Sequence, residues 1–192
     1  MLAAGAGSRF GGGKVLAHLE GRPLLQHVLD ALAEAGFEDP IVVLGRDDAV
    51  IRSSLRWRRA TILTNPASDR GIASSLVLGW GAALETGATA VLVALADQPR
   101  LSPAVVTALV KVDLDGARPI VAPRYAGGGG RNPVRIDATA DALVRGLTGD
   151  HGLWPLIAAR PELVRSIDAA GSNPDVDGPE DLRAIARPDG AT

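Results

Sequence analysis

Cysteine is absent from this chain of 192 residues, so disulfides, zinc–thiolate sites and thiol catalysis are excluded. Aromatic residues are few, with three Trp, two Phe and one Tyr, which leaves little surface for stacking nucleic-acid bases. The formal net charge is only −2 and no basic tract occurs, so no nucleic-acid partner is expected. No apolar run approaches the roughly 20 residues that span a bilayer, and the start has no signal-peptide pattern. These absences favour a cytoplasmic protein with no membrane partner.

Lysine is also scarce, because nearly all basic residues are arginine and the only lysines are Lys14 and Lys111. The chain is rich instead in small and aliphatic residues, and 46% of it is hydrophobic. A chain of this length buries roughly 70% of its unfolded surface, which is enough for a core without covalent staples. We therefore expect a single domain over residues 1–192.

Apolar runs alternate with helical patterns over the first 112 residues. The predicted strands are residues 2–4, 41–44, 61–64 and 90–95. The predicted helices are residues 23–36, 47–55, 74–84 and 103–112. Strands separated by helices require right-handed crossovers, which build a parallel sheet covered on both faces.

The pattern changes after residue 118, where two short extended runs at 119–123 and 133–136 flank Gly127–Gly130. This arrangement predicts a hairpin or lid, and not another crossover. Further elements are predicted at residues 139–147, 153–159, 163–167 and 179–186. The expected fold class is a Rossmann-like three-layer α/β/α fold with a mostly parallel sheet and a small β-hairpin or lid insertion.

A glycine-rich loop follows the first strand and runs from Gly5 to Lys14. Glycines let the backbone pass close to a ligand and turn its N–H groups toward phosphate oxygens, and Arg9 and Lys14 add positive charge there. A Walker A loop is excluded because Val15 follows the lysine, and a dinucleotide fingerprint because Phe10 replaces its third glycine. The loop is predicted to bind phosphate groups; the alternative is a plain surface turn.

Two carboxylates are candidates for a metal site. Asp97 directly follows the strand 90–95, and Asp177 lies in an acidic cluster before the last helix. Each has an alternative, because Asp97 suits a turn and either Asp177 or Glu180 suits a helix cap. Mg²⁺ takes oxygen ligands and is commonly held by one or two carboxylates plus phosphates. We therefore expect Mg²⁺ (or Mn²⁺) as a cofactor.

These groups together predict catalysis by positioning and electrostatics, with Arg9, Lys14 and Asp97 as the catalytic residues. No base or nucleophile from the protein is required. An acceptor phosphate can attack in line while pyrophosphate leaves.

Several segments resemble the nucleotidyltransferases with a GT-A-like nucleotide-diphospho transferase fold. More narrowly, the chain resembles the MobA-like family, and within it the molybdenum cofactor cytidylyltransferases. The matching segments are Leu2–Arg9 with Lys14, Asn65-Pro66, Gly71–Leu76, Ala96–Pro99, Asn132–Val134 and Asp175–Leu182. The resemblance covers nearly the whole chain, and its most specific part is the first loop combined with Asp97-Gln98-Pro99.

The resemblance implies a nucleotide-binding half over 1–112 and an acceptor-binding half over 113–192. The implied nucleotide-binding residues are Leu2, Ala3, Ala4, Gly5, Gly7, Ser8, Arg9, Lys14, Asn65, Ser74, Ser75 and Asp97. It also implies that Asp97 and Asp177 bind the metal. The expected acceptor-binding residues are Arg131, beside the glycine run, with Asn132 and His151.

The implied substrates are a nucleoside triphosphate and a molybdopterin-type phosphate, with a molybdoenzyme or chaperone as a possible further partner. CTP is favoured because Ala4 stands where guanylyl-transferring relatives tend to carry glycine. Two departures from the family pattern are a short opening strand that begins at Met1 and a segment Gly149–Trp154 without the family's two cations. The second departure leaves the identity of the acceptor open.

Three alternatives remain at this point. One is a guanylyl- or other nucleotidyltransferase that acts on a different small phosphate. Another is a non-catalytic nucleotide- or cofactor-binding chaperone module, which would bind without releasing pyrophosphate. A dinucleotide-dependent oxidoreductase is disfavoured by the spacing of the first loop.

Overall fold

The computed structural model describes residues 1–5, 7, 10, 12–113, 116–150 and 152–186. The strands are β1 (Leu2–Ala3), β2 (His18–Leu19), β3 (Arg22–Pro23), β4 (Ile41–Leu44), β5 (Thr61–Thr64), β6 (Ala90–Val93), β7 (Ile120–Tyr125), β8 (Val134–Asp137) and β9 (Val164–Ala169). The helices are α1 (Leu24–Glu34), α2 (Asp48–Ser54), α3 (Ile72–Glu85), α4 (Pro103–Val110), α5 (Asp141–Arg145), α6 (Trp154–Ala159) and α7 (Pro179–Ile185). Within the described residues, none of these helices has the length and apolar character needed to cross a membrane.

The main sheet has the strand order β5–β4–β1–β6–β8–β7–β9. Strands β1, β4 and β5 pair in parallel. The Leu2 N–H donates to the Ala94 carbonyl and the Leu2 carbonyl accepts from the Ala96 N–H, both at 2.9 Å. These bonds place the end of β6 beside β1, also in parallel. The parallel sheet predicted for the first half of the chain is therefore confirmed.

Helices cover both faces of this sheet. Helices α3, α5 and α6 pack on one face around the fully buried Trp80. Helices α1, α2 and α4 pack on the other face. In α1 the apolar residues recur at helical spacing, so one stripe is buried against the sheet. The chain leaves this helix through Gly36, whose φ of +94° suits glycine.

The two extended runs of the second half form an antiparallel pair, as a hairpin would, but the pair is built into the main sheet. Strand β8 lies antiparallel between β6 and β7, and β9 pairs in parallel with β7. Val134 and Ile136 on β8 are almost completely buried, so a projecting hairpin would have exposed them to water. The connection 126–133 between β7 and β8, called the lid connection below, stays beside the segment that follows β9: the Ala126 and Gly127 N–H groups donate to the Ala169 and Gly171 carbonyls, both at 2.9 Å.

A small antiparallel pair, β2 with β3, was not predicted. Each strand has only two residues, which is too short to give an alternating pattern. The turn between them places Glu20 at φ +52° and Gly21 at φ +79°, as in the turns that fit tight hairpins. This pair carries the chain from the glycine-rich loop to the start of α1.

Candidate active site

Lys14 lies between two carboxylates at the carboxyl end of the parallel strands. Its Nζ atom is 2.8 Å from Asp97 Oδ2 and 2.8 Å from Asp177 Oδ1. Only 12% of the lysine side chain is exposed. The three residues come from the loop after β1, the turn after β6 and the segment before α7. The structure thus brings Lys14, assigned to phosphate, together with the two candidate metal ligands.

Glycines in the first loop allow Lys14 to reach this position. A Cβ atom on Gly7 would lie 2.5 Å from the Lys14 Cβ, and the φ of Gly7 is +56°. The loop therefore folds back onto the lysine only because position 7 has no side chain. The Gly13 N–H donates to Asp47 Oδ2 at 3.1 Å, which fastens the far end of the loop to the start of α2.

Asp97 is held by its backbone and leaves one carboxylate oxygen without a partner. Its carbonyl accepts a hydrogen bond from the Val176 N–H at 2.9 Å. Its Oδ1 atom is buried and has no hydrogen-bond partner among the residues that the structure describes. A buried carboxylate oxygen without a partner is costly unless it binds a cation or a donor.

Asp177 faces Lys14 because a different residue caps α7. Asp181 Oδ2 accepts from the Asp177 N–H at 2.9 Å and from the Gly178 N–H at 2.8 Å. Asp177 is therefore not the capping residue, while Glu180 lies in the first turn of α7, where a negative charge suits the helix dipole. With Asp181 in the capping role, Asp177 Oδ1 contacts the Lys14 ammonium group at 2.8 Å.

Neighbouring charges set the protonation of the cluster. Burial by itself would lower the pKa of Lys14, but Asp97 and Asp177 outweigh it, so this pKa lies above its usual value and the ammonium stays charged. Burial raises the pKa of Asp175, and the negative charge of Asp97 adds to the effect. Two carboxylates thus contact one ammonium group and Asp175 lies nearby, so the local charge is negative and favours a divalent cation.

The donor set fits a metal ion that arrives together with a triphosphate. Within the described ranges, no group of three or more His, Cys, Asp or Glu side chains is placed to hold a metal ion. Asp97 and Asp177 supply the one or two carboxylates that Mg²⁺ commonly takes from a protein, and phosphates and water complete its shell. The unpaired Asp97 Oδ1 agrees with this role, and the metal assignment remains a prediction.

Cavities border the cluster on more than one side, and two of them contain residues that the sequence assigned to substrates. The smaller, about 210 Å³, lies on the side of β4 and β5 and is walled by Ala3, Ala4, Gly5 and Lys14. The larger, about 390 Å³, lies on the side of β6 and β8. Leu2, assigned to nucleotide binding, lines the larger cavity instead of the smaller one.

Asn65, Ser74 and Ser75 form one hydrogen-bonded group. The Asn65 side-chain amide donates to Ser74 Oγ at 2.8 Å and to Ser75 Oγ at 2.9 Å, and its oxygen accepts from the Ala67 N–H at 2.9 Å. Asn65 is buried, so its side chain holds the loop after β5 onto the first turn of α3. Nucleotide binding by these residues remains a prediction.

The expected acceptor residues Arg131 and Asn132 line the larger cavity. The Arg131 guanidinium lies 5.3 Å from the ring centroid of Trp154, a cation–π contact between the lid connection and α6. The Asn132 carbonyl accepts from the Tyr125 hydroxyl at 3.0 Å, so the base of the connection is fixed. The predicted site residues Ser8, Arg9 and His151 lie outside the described residues.

Arg135 follows the glycine run in sequence, but its side chain binds the end of α4. Its Nη1 atom donates to the carbonyls of Val110 and Val112 at the end of α4, at 2.7 and 2.6 Å. A cation at this position is favoured by the unsatisfied carbonyl groups of a helix end.

The sequence assigned no role to Gln98 or Asp175, which the structure places beside the cluster. The Gln98 Nε2 atom donates to Asp175 Oδ1 at 2.9 Å, and Asp175 lines the larger cavity. The only sequence signal was their position inside the two segments that carry Asp97 and Asp177. Neither segment indicates that the two side chains meet.

Comparisons with known proteins agree on one family. A model of the MobA-like NTP transferase domain matches residues 1–165. Nicotine blue oxidoreductase of Paenarthrobacter nicotinovorans is 30% identical over 192 residues, covering 95% of this chain and 92% of that protein. The bifunctional protein GlmU of Sinorhizobium fredii (strain NBRC 101917 / NGR234) is 36% identical over 110 residues, or 56% of this chain. The aligned part is 24% of GlmU, so the chain spans about a quarter of that relative.

Solved structures are similar to this chain over nearly its full length. The crystal structure of Rv0371c from Mycobacterium tuberculosis H37Rv has a TM-score of 0.81 and 30% identity, covering 96% of this chain and 94% of that one. A structure of the same protein in complex with manganese has a TM-score of 0.78 and 28% identity, covering 96% and 95%.

Proposed function

The chain belongs to the MobA-like NTP transferase family and is a nucleotidyltransferase, and we propose that it moves CMP from CTP to a molybdopterin-type phosphate and releases pyrophosphate. The MobA-like family and the fold class predicted from the sequence are both confirmed. The observation that carries the proposal is the cluster in which Lys14 contacts Asp97 and Asp177 between two cavities.

In the proposed reaction the chain holds the substrates in position and supplies charged groups. Lys14 binds the triphosphate as a point charge, with Arg9 and the N–H groups of the glycine-rich loop as further phosphate contacts. Asp97 and Asp177 hold Mg²⁺ or Mn²⁺, and the bound ion would supply positive charge that offsets the charge developing at the α-phosphorus. The use of manganese by this chain is supported by the manganese complex of Rv0371c.

The two cavities support separate binding places for the nucleotide and the acceptor. The smaller cavity borders Lys14 and Ala4, and it suits the nucleotide, with the Ala4 methyl group favouring CTP over GTP. The larger cavity suits the acceptor, because Arg131 and Asn132 line it beside apolar residues of the sheet. In this arrangement residues 1–112 bind the nucleotide and residues 113–192 bind the acceptor, with His151 as a further acceptor contact. A molybdoenzyme or a chaperone would receive the product.

The name of one relative, nicotine blue oxidoreductase, suggests a second candidate activity. The fingerprint of a dinucleotide-binding oxidoreductase needs a glycine where the first loop of this chain has Phe10. The family model and the ion-pair cluster therefore favour nucleotidyl transfer for this chain.

The proposal is tested by pyrophosphate release from CTP or GTP with Mg²⁺ and a panel of phosphorylated acceptors. We expect release from CTP, and we expect Asp97→Asn to lower turnover on the order of 10²–10³-fold. A matched control is Asp168→Asn, since Asp168 pairs with Arg124 at 2.7 Å on the exposed part of β9. Release of pyrophosphate by Asp97→Asn at the wild-type rate would refute the metal site. Nucleotide binding without any release would favour a non-catalytic module.

A further inference from the structure

We propose that Gln98 is a positioning residue that sets the spacing between Asp97 and Asp177 and connects both to the acceptor side. The inference rests on the proposed role of those two carboxylates in metal binding. Gln98 follows Asp97 directly, its side chain bonds to Asp175 and Asn173, and only 2% of its surface is exposed.

Gln98 joins the two acidic segments, which are about 80 residues apart in sequence. Its Nε2 atom donates to Asp175 Oδ1 at 2.9 Å, and its Oε1 atom accepts from Asn173 Nδ2 at 3.4 Å. The Val176 N–H donates to the Asp97 carbonyl at 2.9 Å, so the same segment is fastened at a third point. These bonds hold the chain on both sides of Gln98 against the residues that precede Asp177.

This attachment opposes the repulsion within the cluster. Asp97, Asp175 and Asp177 are like charges that separate unless something holds them, and Lys14 is the cation that contacts two of them. Gln98 is neutral and donates to Asp175, so it holds the acidic segment without adding charge. Residues that orient metal ligands in this way typically change metal affinity 10–100-fold when they are mutated.

The same network reaches the acceptor side. Asn173 Nδ2 also lies 3.3 Å from the Asn132 carbonyl, and Asn173 is 1% exposed. A Cβ atom on Gly130 would lie 2.9 Å from Gln98 Nε2, so the lid connection packs directly on the glutamine. Gln98 therefore contacts the proposed metal-binding segments and the connection that carries Arg131. A shift of its amide would therefore displace both the proposed metal-binding segments and the lid connection.

The decisive test exchanges the two hydrogen-bonding partners. In Gln98→Glu, two carboxylates face each other across 2.9 Å, and we expect the Kd for Mn²⁺ to rise about 10–100-fold. In Gln98→Glu/Asp175→Asn, the amide at 175 donates to the carboxylate at 98. The hydrogen bond and the total charge are restored, and we expect the Kd to return to within about threefold of wild type. A residue that only fills space would not be rescued by this exchange.

Binding is measured by electron paramagnetic resonance titration of Mn²⁺, alone and with a non-hydrolysable CTP analogue, so the readout does not depend on turnover. A matched control is Gln26→Glu, since Gln26 Nε2 donates to Asp30 Oδ1 at 3.0 Å in α1, away from the site. We expect this control to bind Mn²⁺ as wild type does. A normal Kd for Gln98→Glu, or an unrescued double variant, would overturn the role of Gln98.

A second variant tests the same role if Gln98→Glu does not fold. Gly130→Ala displaces the flexible end of Gln98 without changing its chemistry, and we expect it to raise the Kd for Mn²⁺ severalfold. Gly116→Ala is its control, because a Cβ atom there would have no neighbour within 4 Å. Unchanged Mn²⁺ binding by Gly130→Ala would also overturn the inference.

Asp97→Asn separates this inference from the proposed function. If Asp97→Asn binds Mn²⁺ normally, the proposed metal site itself is wrong. If Asp97→Asn loses Mn²⁺ while Gln98→Glu keeps it, only the role of Gln98 is wrong.

Discussion

The Lys14 ammonium group has two kinds of partner in the proposed function, carboxylates and phosphates. It balances the charges of Asp97 and Asp177, which it contacts at 2.8 Å. Under the proposed function, Asp97 and Asp177 would hold a divalent ion and Lys14 would bind the phosphates. Metal and lysine would then compete for the carboxylates when no triphosphate is bound.

We expect Lys14→Met to weaken triphosphate binding about 10–100-fold, because a charge-assisted contact contributes roughly 1.5–3 kcal/mol. The same variant should bind Mn²⁺ alone more tightly than wild type, since the competing ammonium group is gone. Isothermal titration calorimetry measures both values. Lys111→Met, at the exposed end of α4, is the control and should change neither. Unchanged triphosphate affinity in Lys14→Met would remove the lysine from the proposed site.

At the level of elements, the start of α3 connects the two halves of the chain. The Gly149 carbonyl accepts from the Ala73 N–H at 3.1 Å, and Asp150 Oδ1 accepts from the Ile72 N–H at 3.3 Å. These bonds satisfy N–H groups in the first turn of a helix that also carries Ser74. The loop before α6 thus caps a helix of the nucleotide half.

Gly71→Ala is expected to lower the free energy of unfolding by roughly 2 kcal/mol or more. A Cβ atom there would collide with the Gly149 backbone, and the φ of Gly71 is +98°. Gly81→Ala, inside the same helix with no neighbour within 4 Å, should stabilise by about 0.5–1 kcal/mol. Thermal unfolding compares them, since 1 kcal/mol shifts Tm by about 2–4 °C at this size. A Gly71→Ala protein as stable as wild type would show that this contact is dispensable.

At the level of the whole molecule, the backbone of Met1 lies in the centre of the sheet. Its nitrogen donates to the Ile41 carbonyl at 2.7 Å, and its carbonyl accepts from the Val43 N–H at 3.0 Å. When the 192 residues are prepared with a free amino group at Met1, burial lowers the pKa of that group from 8.0 to about 5, because a charged amine is poorly solvated there.

This burial predicts a pH dependence of stability. Between about pH 5 and 8 the unfolded chain binds this proton and the native chain does not, so stability falls as the pH drops through that window. The slope from this group approaches about 1.4 kcal/mol per pH unit. Urea unfolding at a series of pH values measures it, and acetylation of the amino group should remove this contribution. Identical slopes for the free and acetylated chains would contradict the prediction.

Local pattern predicted much of the first half of the fold. The apolar run at 41–44 became β4 with the expected bounds, and the spacing of Leu24, Val28 and Leu32 gave the buried stripe of α1. The candidate ligand types at Lys14, Asp97 and Asp177 were also visible, because glycines beside a cation and a carboxylate after a strand are local signals. The central position of β8 was not predicted, since four residues do not show which strands flank them.

The sequence by itself determined the family, the alternation of strands and helices, and the chemical types available to the site. The tertiary structure alone decided that Asp181 caps α7 while Asp177 faces Lys14, and that Gln98 meets Asp175. The physical reason is distance along the chain. Lys14 and Asp177 are 163 residues apart and Gln98 and Asp175 are 77 apart, so only the folded sheet brings them into contact.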